Sequence, residues 1–325
     1  MSDNDAIRQT GPTRREYVKY GGTIVGGSLL AGCTGGGSEG GDESNEESGT
    51  NGDEDERYTV ELSPVGEVEF EGVPESAMVY SPQYVDMLVA YGHEGAINSI
   101  NFPENFYTGY YEALEGVAFD PMDVPAVFDQ DAGTVDKEFL YELDSDVHLI
   151  DPHWFVTFDG WDWDDIDEIE QNVGPFFANR YSRENNFEGD ERLDAEEYEY
   201  YTAWELYGTV ADAFRAEERW SALREIRDAM VDEIESGLPP EEERPSVGLV
   251  SYWEGEFSPY RILQPGFGQS QYHPLEPEDV FAESDRTYSE NYEATYDFEG
   301  LLEFDPDVLI QFSGITAPAE GEASF

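Results

Sequence analysis

Positive charge is scarce in this 325-residue chain. Two lysines, Lys19 and Lys137, and 14 arginines face 75 Asp and Glu, for a formal net charge of −59. That deficit excludes nucleic acid and anionic membrane surfaces as partners, because both repel such a chain. Cysteine is almost absent as well. Cys33 is the single one, so no intramolecular disulfide can form. The four histidines, His93, His148, His153 and His273, make no HExxH array, and neither a GxSxG elbow nor a phosphate-cradling glycine loop occurs. The acidic stretch Asp162 to Asp167 lacks the glycine and distal glutamate of an EF-hand loop.

Aromatic residues, by contrast, are plentiful. With 21 Tyr, 19 Phe and 6 Trp, the chain can bury enough surface to offset its conformational entropy, unlike a disordered acidic protein. In ordinary saline the self-repulsion of 75 acids would burden a compact state. In multimolar salt the Debye length falls to ~1.5 Å and the repulsion is screened. The composition therefore reads as that of an extreme halophile, with a calcium-loaded acidic secreted protein as the alternative.

Residues 1–33 stand apart from the fold. Thr13-Arg14-Arg15-Glu16-Tyr17-Val18-Lys19 precedes a Gly-rich, mildly apolar stretch, Tyr20 to Leu30, too short for a permanent membrane span. The arrangement, with its Arg14-Arg15 pair, resembles a twin-arginine export signal. Leu30-Ala31-Gly32-Cys33 comes next and resembles a lipobox, at which Cys33 would be diacylated. Residues 34–57, made of Gly, Ser, Asn, Asp, Glu and similar residues, read as a flexible acidic tether. The expected location is the outer face of the cell membrane, held by the lipid anchor only.

An internal duplication organises the rest. Glu138-Phe139-Leu140-Tyr141-Glu142-Leu143-Asp144-Ser145-Asp146-Val147 aligns with Glu299-Gly300-Leu301-Leu302-Glu303-Phe304-Asp305-Pro306-Asp307-Val308 at a constant offset, with six of ten positions identical. Each copy predicts a short amphipathic helix, a polar turn and an apolar strand, Val147 to Ile150 and Val308 to Phe312. Ala77 to Tyr80 before a helical Tyr84 to Tyr91, and Ser246 to Tyr252 after Arg244-Pro245, add further strands. Between the repeats, Trp220, Leu223, Ile226 or Arg227, Met230 and Ile234 recur at helical spacing, stopped by Gly237 and Pro239-Pro240. The expected fold is α/β: two Rossmann-like lobes, 58–203 and 245–325, bridged by one long α-helix within 204–238. The second lobe is the shorter and reads as incomplete, with an intrinsically shortened lobe as the alternative.

An export signal, a tether, two α/β lobes about one helix and a Glu-x-Leu-x-x-Leu/Phe-x-Pro-Asp-Val-like element in each lobe together resemble the substrate-binding lipoproteins of ABC importers for ferric siderophores, haem and cobalamin. The resemblance covers residues 58–325, with Ser145 standing where the family usually has Pro. It implies a monomeric binder, not an enzyme, with no cofactor. Its expected ligand is an iron(III)-siderophore or related metal chelate, delivered to an ABC permease. In the family, the Glu opening each repeat sits on a lobe tip and pairs with permease arginines, which implies that role for Glu138 and Glu299.

Ligands of α/β lobes sit beyond the carboxyl ends of the strands. That rule nominates His153 and Trp154 after the first repeat strand, with Phe155 beside them. In the second lobe it nominates Tyr252, Trp253, Tyr260 and Arg261, the arginine as a cation for an anionic chelate. Two other readings stand beside this one: a binder of bare zinc or manganese through His148, His153 or His273, and a secreted halophilic enzyme.

Overall fold

The structure, a computed structural model, describes residues 57–103, 106, 109, 111–129, 133–179, 192, 198–253, 256–266, 268–282 and 294–311. Arg14, Arg15, Cys33, residues 34–56 of the tether and Phe312 lie outside the described residues. Among the described residues no helix is long and apolar enough to cross a membrane.

The strands, in chain order, are β1 (Tyr58–Leu62), β2 (Gly66–Phe70), β3 (Ala77–Val79), β4 (Ile97–Ile100), β5 (Phe128–Asp129), β6 (Thr134–Val135), β7 (Val147–Leu149), β8 (Ser246–Trp253), β9 (Glu256–Tyr260), β10 (Glu278–Asp279) and β11 (Val308–Gln311). The helices are α1 (Pro82–Tyr91), α2 (Lys137–Leu143), α3 (Pro152–Phe155), α4 (Trp163–Asn172), α5 (Ala203–Ala213), α6 (Glu217–Gly237) and α7 (Phe298–Leu302). Local chemistry marks their ends. Pro82 occupies the first turn of α1 and Gly92, at φ 78°, ends it. Reciprocal capping boxes, Asp162 with Asp165 and Thr202 with Glu205, start α4 and α5.

The fold is α/β, in two lobes joined through the 21-residue helix α6. In the first lobe β3 lies between β4 and β7, all parallel. In the second, β8 lies between β10 and β11, again parallel. Each lobe's parallel sheet thus places the first of its three parallel strands centrally, the second on one side and the third on the other. Alternation along β3 sends Ala77 and Val79 into a core shared with α1, α5 and the β1–β2 hairpin, while Met78 and Tyr80 face a second core with Phe155, Ile166 and Phe176. Both faces of this sheet are covered, as parallel sheets require.

The sequence repeat is a repeat of atoms as well. Asp144 and Asp305, equivalent positions, are both in the left-handed region, at φ 47° and 44°; Asp144 caps the end of α2, and Asp305 lies in the turn that follows α7. Asp146 Oδ2 accepts the Glu75 and Ser76 N–H groups at 2.8 Å each, and Ser76 Oγ accepts the Asp146 N–H at 2.9 Å. Asp307 Oδ2 accepts the Ser246 N–H at 3.0 Å and its hydroxyl at 3.1 Å, and Ser246 Oγ accepts the Asp307 N–H at 3.0 Å. Each clasp ties the start of a lobe's third strand to the start of its first. Beside the first clasp, a Cβ on Gly174 would stand 2.5 Å from the Ser145 carbonyl oxygen, so only glycine fits there.

Helix α6 differs from the expected stripe. Trp220 and Leu223 pack on the first lobe's core, but Ile226 is 69% and Met230 56% exposed. These apolar residues share one arc of about 120°; Ile226 and Met230 stand on its outer flank, and the first lobe's core reaches only Trp220 and Leu223 in the opening turns. A second difference is the β1–β2 hairpin, which covers the first core. Its alternation of Tyr58, Val60 and Leu62 with Val68 and Phe70 is a period-two signal.

Candidate functional site

Three parallel strands of the first lobe end on one side, and aromatic side chains gather just beyond them. Tyr80 succeeds β3, its N–H donating to Leu149 O at 3.2 Å; Asn101 succeeds β4, its N–H donating to Val79 O at 3.1 Å. Beyond β7 come Ile150, Asp151 and helix α3, whose first turn Asp151 caps by accepting the His153 N–H at 2.9 Å. Trp154 on α3 meets Tyr80 edge-on, ring centroids 4.1 Å apart. Phe158 joins both, at 5.3 Å from Trp154 and 6.0 Å from Tyr80. Phe128 lies 5.5 Å from Phe158, and Phe102, at φ 49°, lies 5.2 Å from Phe128. Tyr80 is buried and the other four rings are half-buried. They form an aromatic ledge at the carboxyl end of the sheet. Its geometry suits stacking and van der Waals contact with a large apolar surface.

Two buried polar side chains lie at the ends of the strands beside the ledge. Asn101 is 6% exposed, and its Oδ1 accepts no hydrogen bond. Asp151 is 1% exposed. Two described cations share this end of the sheet, and each is bound to a carboxylate. Lys137 pairs with Asp165 and stands 5.3 Å from the Trp161 ring, holding Asp165 below the usual carboxylate range. Arg192 grips Asp167 in bidentate fashion, at 2.7 and 3.0 Å, and lowers it likewise.

The residues nominated from sequence are dispersed. His153 is 6% exposed and packs edge-on against Trp163 at 4.9 Å, beside the ledge. Tyr252 is half-buried near the carboxyl end of β8, 4.9 Å from Phe257 and 6.3 Å from Phe298; the backbone of Trp253 ends that strand. Strand β9 runs antiparallel to β8, with Glu256 opposite Trp253 and Tyr260 opposite Leu249. Tyr260 is therefore a core residue, 5% exposed, against Val247 and Ile262. Arg261 emerges alongside the amino-terminal half of β8, away from its carboxyl end. There its charge opposes the upward push of burial on the Asp279 carboxyl. Sequence reasoning missed Tyr80, Asn101, Phe102, Phe128 and Phe158. For Tyr80 and Asn101 the strand-end rule was the available signal; the phenylalanines come from three separate stretches of chain, Phe128 from strand β5.

Glu138 and Glu299 occupy equivalent, exposed positions in the first turns of α2 and α7. Both helices lead back to the amino ends of parallel strands, so both first turns emerge on the carboxyl side. The histidines do not converge. His148 is fully buried in β7, with Nδ1 3.0 Å from Gly174 O, and burial drives its pKa down to about 4. Among the described residues no group of three or more His, Cys, Asp or Glu could hold a metal ion. A pocket of about 950 Å³ lies at the opposite, amino end of the sheet, bordered by Glu75, Asp146 and Gly174.

No known family profile matches the sequence, and no curated protein does either. Solved structures do share the fold. An iron uptake ABC transporter substrate-binding protein, PiuA, from Streptococcus pneumoniae matches 78% of this chain over 76% of its own, with TM-score 0.54 and 15% identity. The siderophore-binding protein BauB, solved with two acinetobactin molecules and ferric iron, matches 79% over 76%, with TM-score 0.51 and 16% identity. The haem-binding protein HmuT matches 79% over 72%, with TM-score 0.50 and 15% identity. These similar structures are solute-binding proteins, not enzymes.

Proposed function

We propose that the chain is an extracytoplasmic solute-binding protein that captures a ferric siderophore or related metal chelate and hands it to an ABC permease. The observation that carries the reading is the aromatic ledge at the carboxyl end of one of two equivalent parallel sheets flanking a long helix. The likeness to structures that bind iron chelates and haem supports it. Trp154, Tyr80, Phe102, Phe128 and Phe158 would hold the cargo from the first lobe, and Tyr252 and Trp253 from the second. Glu138 and Glu299 would meet permease arginines, through short-range contacts because molar salt screens longer ones. Twin-arginine export, lipidation of Cys33, a monomeric state and life in concentrated salt complete the proposal. The bare-ion reading is not favoured, since His148 is locked in the core.

Binding and transport should be separable. Trp154→Ala should weaken a bound ferric chelate about tenfold or more, read by tryptophan quenching. Glu138→Ala with Glu299→Ala should leave affinity unchanged and abolish uptake of the labelled chelate by cells. A chain that quenches with no ferric chelate, haem or cobalamin overturns the function. A double Glu variant that loses binding and keeps uptake reverses the two surfaces.

A further inference from the structure

Resting on the proposed capture of cargo between two lobes, we propose that residues 268–275 of the second lobe form a latch that sets the angle between the lobes, with the Ser270 hydroxyl as its catch. Helix α5 of the first lobe begins with a capping box. Thr202 Oγ accepts the Glu205 N–H at 3.3 Å, and the Glu205 carboxylate accepts the Thr202 N–H at 2.7 Å. The box leaves other first-turn N–H groups to find acceptors elsewhere. For Ala203 the acceptor comes from the other lobe: its N–H donates to Ser270 Oγ at 3.3 Å. The bond sets a hydroxyl oxygen against the positive end of the helix, which favours it further.

The latch is rooted in its own lobe. Tyr272 packs on Val247, Leu249, Tyr260 and Ile262, and its N–H donates to Gln269 O at 2.9 Å. Gln269, itself buried, accepts the N–H of the buried Gln264 amide at Oε1, at 3.0 Å. The far end of the latch, the 3₁₀ turn His273–Leu275, rests on α6. Because α6 joins the lobes, a change in their angle is taken up where the second lobe meets the first beside that helix, and the Ser270–Ala203 bond is such a meeting point. The catch is built to let go. One neutral hydrogen bond is a modest restraint. Beside it, Gln264 Oε1 and His273 Nε2 are buried without hydrogen-bond partners, a cost that the latched arrangement carries and a rearranged one sheds by admitting water. Cargo held by both lobes can therefore decide whether the catch stays closed.

Hydrogen exchange at the Ala203 amide, followed on the cargo-free full chain in 3 M KCl, tests the catch. Ser270→Ala should speed that exchange about fivefold, the strength of one neutral hydrogen bond, and Ser270→Thr, which keeps the hydroxyl, should restore it. Lobe angle is read separately, from the distance between spin labels on Glu142→Cys and Glu303→Cys. These are exposed, equivalent positions of the two repeats, and Cys33→Ser removes the single native thiol. The distance distribution should be narrow with Ser270 and broad with Ser270→Ala, at unchanged circular dichroism. An Ala203 amide that exchanges no faster in Ser270→Ala, or a distribution of unchanged width, overturns the latch. A chain that shows both Ser270 effects but binds no ferric chelate, haem or cobalamin keeps the latch and loses the proposed function. A chain that binds a chelate without those effects keeps the function and loses the latch.

Discussion

The two lobes use one plan and fill it differently. Both centre their first parallel strand between parallel neighbours and both close with an Asp–Ser clasp. In the first lobe, β7 is buried along its whole length and a core lies on each face of the sheet. In the second, β11 is mostly exposed, with Val308 at 42% and Leu309 at 47%, and among the described residues each face carries a cluster of four buried ones. A shared backbone topology thus specifies connection and closure, whereas rigidity comes from how much side chain surrounds the sheet.

Removing salt should part the lobes most. Lowering KCl from 3 M to 0.1 M should cost the chain much of its circular dichroism, because the charge of −59 is then unscreened. Limited proteolysis at intermediate salt should cut beyond residue 245 first, the second lobe having the smaller core. Equal resistance of both lobes at every salt concentration would contradict the comparison.

Glycine replacement probes the packing directly. Gly174→Ala drives a Cβ to 2.5 Å from a backbone oxygen and should cost ~3 kcal/mol or more in chemical denaturation. Gly248→Ala, the test in the second lobe, meets only side-chain atoms of Leu309, Val280 and Phe281, at 3.4 to 3.5 Å. A loss below ~1 kcal/mol is expected there.

Acid should act through β7. His148 titrates at about 4 in the folded chain, below the ordinary histidine value of 6.5. Between those two pH values the unfolded chain holds a proton that the folded chain does not. Stability therefore falls as pH drops from 6.5 to 4, by up to ~3 kcal/mol, and this loss is absent above 6.5. His148→Phe should flatten that part of the pH profile. An unchanged slope in the variant would assign the acid response to carboxylates instead.

The clasps give the smallest difference. Asp146→Ala frees two backbone N–H groups and should cost about 1–2 kcal/mol, while Asp307→Ala frees one and a hydroxyl and should cost about 1 kcal/mol. Thermal melts in 3 M KCl can rank them.

Much of the frame is legible in the residues. Ala77 to Tyr80, Val147 to Ile150 and Ser246 to Tyr252 are short apolar runs, and each forms a strand there, within a residue of those bounds. The repeat announces equal topology because the Asp residues common to both copies serve the backbone: a left-handed turn residue at Asp144 and Asp305, and a clasp at Asp146 and Asp307. The ledge is harder to read. Trp154 is accessible to reasoning because it lies close behind its strand, whereas Phe102, Phe128 and Phe158 come together from three separate stretches of chain. Arg261 depends on the direction of β9, and the same residues would place it at the carboxyl end had β9 run parallel to β8. Helix α6 shows a related limit, since spacing alone does not tell which flank of its apolar arc a neighbour covers.

The clasps sit at the amino ends of the strands and the ledge at the carboxyl ends. Selection can therefore act on the two separately. Residues 80, 102, 128, 154 and 158 are free to drift towards a new cargo while Ser76, Asp146, Ser246 and Asp307 keep each lobe closed. A library randomised at those five ring positions should yield mostly folded proteins of altered appetite, which makes the ledge a natural place to begin directed evolution of chelate capture in brine.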